Sequence, residues 1–124
     1  LLQVILIGQP ELDDLMLRPE LRQLGQRVTA RYHLRPFTFA ETNAYVAHRL
    51  TIAGYSGPAL FTDAALKAIH LASRGVPRLV NILAHKSLLL AYGEGARRAE
   101  RRQVRVAVDD TPSASTPWWW WKAA

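Results

Sequence analysis

The chain has 124 residues and carries 16 lysines and arginines against 10 aspartates and glutamates, for a formal net charge of +6. Hydrophobic residues make up 49% and charged residues 21%, a globular composition that excludes a chain disordered throughout. The absence of cysteine excludes disulfide scaffolds, zinc knuckles and cysteine nucleophiles, and no apolar run approaches the roughly 20 residues that cross a bilayer.

The chain opens on an apolar segment, residues 1–7, which Gly8 follows. Only Gln3 interrupts it, and a segment that is apolar on both faces is typical of a strand inside a parallel sheet, where helices cover both sides. Such a strand needs neighbours, and the later sequence offers few strands. Because the sequence also lacks an initiator methionine, we expect a piece of a longer protein, cut within or just before a buried strand.

Two short helices and an extended segment are predicted next. Pro10 is favourable at a helix start, and the acidic residues after it complement the helix dipole. Pro19 interrupts this helix, and residues 20–24 start a second one. A segment at about residues 31–35 is predicted to be extended, since Pro36 disfavours the helical conformation in the residue before it.

Three longer helices are predicted from the signals at their ends. Thr38 and Glu41 match the S/T-x-x-E capping box, in which each residue satisfies a backbone N–H of the other. Glycine is favoured just beyond a helix end, and proline at a helix start. The first predicted helix begins at Thr38 and ends at Gly54, the second begins at Thr62 and ends at Gly75, and the third begins at Pro77 and ends at Gly93.

An arginine-rich stretch follows, with five arginines and one glutamate in residues 97–105. This charge indicates contact with DNA phosphates or anionic lipid headgroups, or else a solvated face, and no aromatic residues alternate with the arginines to stack on bases. Residues 104–108 alternate like a strand, and a short final helix fits them as well.

The last segment has linker composition over residues 111–117, and all four tryptophans follow at 118–121. A globular core distributes its tryptophans, so this cluster is not a core feature. Indole prefers membrane interfaces, which predicts a position beside a membrane segment. A frame error or cloning scar is the alternative interpretation.

Five motifs follow one another along the chain: LLQVILIGQPEL at 1–12, RPELRQLGQRV at 18–28, YHLRP at 32–36, YVAHRL at 45–50 and GVPRLVN at 75–81. Together they resemble the C-terminal part of an AAA+ ATPase of the general secretion pathway protein A (ExeA-type) and MSHA pilus biogenesis (MshM-type) family. Their order and spacing cover about residues 1–108 and are far more specific than any one motif.

The resemblance implies an α/β fragment of a P-loop AAA+ domain, with its last core strands at about 1–7 and 31–35. Residues 1–36 would be the C-terminal part of the core, residues 37–108 a mainly α-helical lid, and residues 109–124 a linker with a tryptophan-rich tail.

The resemblance also implies ATP and Mg²⁺ as cofactors of the complete protein. No G-x-x-x-x-G-K-[ST] loop and no apolar run ending in Asp-Glu occurs here, so Walker A and Walker B are absent and we expect this chain alone to be inactive and to hold neither cofactor. The scattered histidines have no ligand spacing, so no metal site is predicted. The implied partners are a homo-oligomeric ring and membrane-associated secretion or pilus assembly proteins, at the cytoplasmic face of the inner membrane.

Four residues match the family's functional positions. Gln9 follows the first strand as a sensor 1 residue that orients the attacking water, and a polar cap on the next helix is the alternative. Arg27 and then Arg22 are candidates for the arginine finger, ahead of Arg31, and a solvated arginine is the alternative. Arg78 lies in the first turn of a helix, where the dipole disfavours a cation, and matches sensor 2.

The leading hypothesis is a fragment of a bacterial ATPase that couples ATP binding and hydrolysis to assembly of a secretion or type IV pilus apparatus. The alternative is a DNA-binding ATPase module of the transposition-helper type, which would use the arginine-rich stretch. A third possibility is an unstable lid with no function alone. Asn81, one turn after Arg78, is predicted to support the lid structurally.

Overall fold

A computed structural model describes residues 2–115, and the chain divides into two units, Leu1–Leu34 and Arg35–Ala124. The tryptophan run at 118–121, with the membrane-interface role predicted for it, lies outside the described residues. Within residues 2–115, none of the helices combines the length and apolar character needed to cross a bilayer.

The first unit contains two short helices joined through a 3₁₀ turn. These elements are α1 (Glu11–Met16), the 3₁₀ turn (Pro19–Leu21) and α2 (Arg22–Arg27), and none of their residues is buried. The segments on either side, residues 2–9 and 28–34, have no regular secondary structure. Helices of this length are marginal without packing, so local sequence signals define them more than a core does.

The strands expected at about 1–7 and 31–35 stay a prediction. Residues 2–115 contain no β-strand, and their β-type pairing is an isolated parallel bridge between Phe61 and Ala99. A parallel strand is completed by hydrogen bonds to strands on either side, and the described part of the first unit supplies none. The side chains of Leu2 and Ile7 are 89% and 88% exposed, which leaves their apolar surface uncovered in this unit.

Four helices make up the described part of the second unit: α3 (Phe39–Ile52), α4 (Asp63–Ser73), α5 (Pro77–Gly93) and α6 (Arg101–Asp109). The capping box at α3 is confirmed, since the Thr38 hydroxyl accepts the Glu41 N–H and the Glu41 carboxylate accepts the Thr38 N–H. The Thr62 hydroxyl accepts the Ala65 N–H at the start of α4. Gly54 follows α3 with φ +82°, the left-handed conformation predicted for its end.

Residues 104–108, for which the sequence allowed a strand or a helix, lie within α6. The Glu100 N–H donates to Gln103 Oε1 over 2.9 Å at the helix start. The buried positions then follow helical spacing rather than alternation: Gln103, Val104, Ala107 and Val108. The helical period therefore places one face of this segment in the core.

The core of the second unit lies between α4, α5 and α6, with α3 packed on α4 and α5. One side chain from each of the three central helices, Ile69, Leu83 and Val104, is fully enclosed. Full burial of such a side chain contributes about 1.5–3 kcal/mol. This unit therefore has an apolar core of its own.

Candidate functional site

The turn between α4 and α5 is fixed by a close backbone contact. Gly75 has φ +73°, and a Cβ at this position would overlap the carbonyl oxygen of Phe37 and lie 2.9 Å from its nitrogen. The Phe37 N–H donates to the Gly75 carbonyl over 2.8 Å. Glycine alone combines this left-handed φ with so close an approach, so Gly75 determines where α5 begins relative to the segment that precedes α3.

Ser73 supports the same turn from inside the unit. Its buried hydroxyl donates to the His70 carbonyl over 3.1 Å and accepts the Gly75 N–H over 3.2 Å. Arg74 between them adopts φ 54°, a left-handed conformation that costs a non-glycine residue about 1 kcal/mol. The surrounding hydrogen bonds hold the turn in this conformation.

Arg78 follows immediately, in the first turn of α5 behind Pro77. Its side chain is exposed and forms no hydrogen bond or ion pair with another residue of the range 2–115. A cation at a helix N-terminus is disfavoured by the dipole, and nothing in the described unit compensates for it. The guanidinium is therefore available to an anion from outside the unit.

A polar and aromatic network lies one turn further along α5. Asn81 Nδ2 donates to the Tyr45 hydroxyl on α3 over 2.9 Å, and the Tyr45 and Phe37 rings lie 5.1 Å apart. The structural role predicted for Asn81 is confirmed by this bond between α3 and α5. Phe37 was missed by the sequence reasoning, although its position before the Thr38 N-cap is one where apolar residues often pack back on the helix.

The segment that leads into α3 carries an ion pair with two hydrogen bonds. Arg35 donates two parallel hydrogen bonds, of 2.8 and 2.9 Å, to the Glu41 carboxylate. The Arg35 guanidinium first, and then the Thr38 N–H, lower the pKa of Glu41 from 4.5 to about 2. Glu41 is therefore ionised at neutral pH and serves to hold the helix start rather than to accept a proton.

Gln9 lies just before α1 in the first unit. Its carbonyl accepts the Leu12 N–H over 2.8 Å, while its side chain forms no hydrogen bond within residues 2–115. The predicted alternative of a side-chain cap is therefore not what the structure shows. Gln9 borders an open depression of about 470 Å³, whose polar lining also includes Glu11, Asp14 and Arg18.

The arginine-finger candidates lie at opposite ends of α2 in the same unit. Arg22 is the first residue of the helix and Arg27 the last, and both are exposed. Neither side chain has a hydrogen-bond or ion-pair partner among residues 2–115, and the same holds for Arg31 in the irregular segment after the helix. The dipole favours a cation at Arg27 and disfavours one at Arg22, so Arg27 is explained by its helix alone.

No three histidine, aspartate or glutamate side chains of residues 2–115 come together as metal ligands would. The candidate site residues divide between the units. Gln9, Arg22 and Arg27 belong to Leu1–Leu34, and Arg78 belongs to Arg35–Ala124. Each unit therefore presents exposed arginine side chains of its own.

Comparison with known proteins connects the sequence to a secretion protein. General secretion pathway protein A of Aeromonas hydrophila is 48% identical over 98 residues, which is 79% of this chain. The chain spans 18% of that protein, less than a fifth of its length. No family model matches the chain, and no solved structure does. The chain is thus related in sequence to one part of a much longer general secretion pathway protein A.

Proposed function

We propose that this chain is part of an AAA+ ATPase that couples ATP binding and hydrolysis to assembly of a secretion or type IV pilus apparatus. The observation that carries the proposal is the 48% identity over 98 residues to a general secretion pathway protein A. The relative's name supports a role in secretion. The ATPase chemistry and pilus assembly go further, and they depend on the resemblance of the motifs and on the availability of Arg78.

In this proposal the second unit is the lid, and Arg78 binds the phosphate oxygens of ATP held by its own subunit. ATP supplies the transferable phosphoryl group. The guanidinium is exposed and without a partner in residues 2–115, and the Gly75–Phe37 contact holds the start of its helix in place. A planar guanidinium suits this role because its donors match a phosphate in a fixed fork. Loss of the contact between Arg78 and the phosphate after hydrolysis would change how the lid is held.

The first unit contributes to the reaction at two points. The side-chain amide of Gln9 both donates and accepts hydrogen bonds, which suits it to orient the attacking water. Arg27, or in its place Arg22, extends to the ATP of a neighbouring subunit and stabilises the charge of the transition state. The working unit is then a homo-oligomeric ring, which acts with membrane-associated assembly proteins at the cytoplasmic face of the inner membrane. Mg²⁺ is held by other segments of the complete protein.

The experiment replaces single arginines in the complete protein and measures ATP hydrolysis and ATP binding separately. Arg27→Ala is expected to lower kcat by about 1,000-fold or more, while the Kd for ATP changes little, because the finger acts in the transition state. Arg78→Ala is expected to weaken ATP binding itself. Arg18→Ala is the matched control, since Arg18 is another exposed arginine of the first unit without a partner among residues 2–115.

Mixing the two variants tests the ring directly. A subunit with Arg27→Ala keeps its own Arg78, and an Arg78→Ala neighbour supplies the missing finger. Activity that returns in the mixture, and is absent from either variant alone, supports action between subunits. If Arg27→Ala hydrolyses ATP normally, Arg27 is not the arginine finger and Arg22 becomes the candidate. If Arg22→Ala, Arg27→Ala and Arg78→Ala all hydrolyse and bind ATP normally, the roles proposed for these arginines fail; if the complete native protein hydrolyses no ATP, the ATPase proposal itself fails.

A further inference from the structure

The second unit has an open groove between α3 and α5 that the proposed ATPase cycle does not use. Its volume is about 450 Å³. The most deeply buried of its lining residues are Val46 of α3 and Phe61, which precedes α4, each 6% exposed. Leu50 and Leu88 line it from the two helices, half-buried and packed against the core. The groove therefore exposes apolar surface to solvent along the contact between two helices.

The groove is held in shape by the unit itself. Asn81, one of its lining residues, donates to the Tyr45 hydroxyl over 2.9 Å and so joins α5 to α3. Both helices also pack on α4. A surface that is already formed before binding saves a partner the cost of ordering it.

The exposed apolar surface continues along α5 beyond the groove. Asn81, His85 and Leu88 line the groove, and Tyr92 follows at the same helical spacing, which places it on the same face of the helix. The Tyr92 side chain is 86% exposed. From Asn81 to Tyr92 the helix rises about 16 Å, or about three turns. We define the α3–α5 groove as the lining residues named here together with Arg49 and Tyr92.

The charge around this groove has one sign. Arg49 and His85 line it, both exposed and without a hydrogen-bond or ion-pair partner among residues 2–115. Residues 42–61 and 77–93, which contain its lining residues, include no aspartate and no glutamate. A ligand that carries carboxylates therefore meets an arginine at the groove and no acidic group of these segments.

We propose that the α3–α5 groove binds an acidic amphipathic helix of a partner protein. A helix satisfies its own backbone hydrogen bonds and can place apolar residues at i, i+3, i+4 and i+7 into such a groove. An extended peptide would need a strand edge, and residues 2–115 contain no β-strand. A second copy of this chain, related by a two-fold axis, would bring Arg49 towards its own equivalent. Charge complementarity therefore favours an acidic partner.

The test measures fluorescence anisotropy of a labelled synthetic peptide with the 124-residue chain. The peptide has about 16 residues, long enough to form a helix, with leucines at i, i+3, i+4 and i+7 and glutamates beside them. We expect saturable binding. A peptide with lysine in place of glutamate should bind at least about 10-fold more weakly. A peptide of the original composition, with its leucines spread around the helix, should also bind at least about 10-fold more weakly.

Matched substitutions locate the binding surface. Arg49→Glu should weaken binding at least about 10-fold, because like charges then face each other. Arg98→Glu makes the same change at an exposed arginine outside the groove, also without a partner in residues 2–115, and should alter affinity less than about 3-fold.

A tyrosine pair tests the apolar contribution. Tyr92→Ala should weaken binding about 5-fold, since it removes an aromatic side chain beside the groove. Tyr32→Ala is its control, because Tyr32 is 85% exposed and belongs to the first unit, and the affinity should stay unchanged. Circular dichroism verifies the fold of each variant. All four changes are at exposed side chains, so the test does not require a substitution in the core.

Three results would overturn the proposal. The first is equal binding of the two glutamate peptides, which would mean that charge alone attracts them. The second is an equal loss in Arg49→Glu and Arg98→Glu. The third is a dimer of the native chain in sedimentation velocity that Arg49→Glu converts to a monomer, which would make a second copy the occupant. The experiment contains no nucleotide, so its result is independent of the ATPase proposal.

Discussion

The helices of the first unit bury none of their residues, whereas the second unit encloses Ile69, Leu83 and Val104 completely. Both units contain many apolar residues, but these are arranged differently along the sequence. In the first unit the apolar residues are concentrated in residues 2–7, and their side chains are mostly exposed. In the second unit they recur at helical spacing over four helices, so each helix covers the apolar face of its neighbours.

The difference shows how far each kind of apolar pattern depends on the rest of a protein. An amphipathic helix needs other helices, and residues 35–115 supply them within one short stretch of chain. A strand that is apolar on both faces needs a sheet beside it and helices above and below. The described residues of the first unit, 2–34, supply neither, so their pattern specifies a strand only together with other segments.

The sharpest test of this comparison is a pair of leucine truncations. Leu83→Ala removes a fully buried side chain from α5 and should lower the free energy of unfolding by about 2 to 5 kcal/mol. Leu24→Ala changes a side chain of α2 that is 42% exposed, and it should cost less than about 0.5 kcal/mol. Urea unfolding followed by far-UV circular dichroism measures both. Equal losses would show that the two units do not differ in the way described.

The sequence was sufficient for α3, α4 and α5 of the second unit because the signals at their ends are local. Thr38 with Glu41, and Gly54 beyond the helix end, lie within a few residues of the structure they specify. Residues 104–108 were ambiguous, since their alternating pattern is brief and only the packing of α6 against α4 and α5 decides it. The strands predicted at about 1–7 and 31–35 stay a prediction, because a strand depends on partners that no local signal reveals.

A glycine pair tests whether the turn before α5 is fixed by contact as well as by conformation. Gly75→Ala meets both a left-handed φ and the backbone of Phe37. It should cost about 3 kcal/mol, which combines the left-handed penalty with overpacking. Gly54→Ala meets the same kind of φ with no heavy atom nearby, so it should cost about 1 kcal/mol. Similar thermal midpoints for the two variants would remove the contact from the explanation.

The candidate site was predictable in part, for the same reason as the fold. Arg78 stood out because a cation in a first turn is costly, and the structure gives it no partner within residues 2–115. The neighbouring network could not be predicted from sequence, because its contacts join distant positions. The rings of Phe37 and Tyr45 are 8 positions apart, and the hydrogen bond from Asn81 to Tyr45 spans 36 positions. For Arg22 and Arg27 the prediction depends on a neighbouring subunit and stays open to the hydrolysis experiment, and for Gln9 it depends on bound ATP.

The smallest expected effect concerns the electrostatic anchor of α3, which is the ion pair of Arg35 with Glu41. Arg35 and the Thr38 N–H lower the pKa of Glu41 from 4.5 to about 2, so the folded state favours the carboxylate. The stabilisation is complete above about pH 4.5 and is lost as the pH falls towards 2, because protonation then removes the interaction. Glu41→Gln should therefore reduce the thermal midpoint at pH 7 and lose less on acidification than the native chain does.

Two variants make this measurement specific. Arg35→Met removes the partner and should bring the pH profile closer to that of Glu41→Gln, since the guanidinium is the largest cause of the lowered pKa while the Thr38 N–H remains. Glu20→Gln changes a carboxylate of the first unit that no described hydrogen bond or ion pair holds, and its midpoint should follow the native chain at each pH. Because Glu41 is exposed, solvent screening keeps the difference modest. Parallel curves for the native chain and Glu41→Gln between pH 4.5 and 2 would show that this pair does not anchor the start of α3.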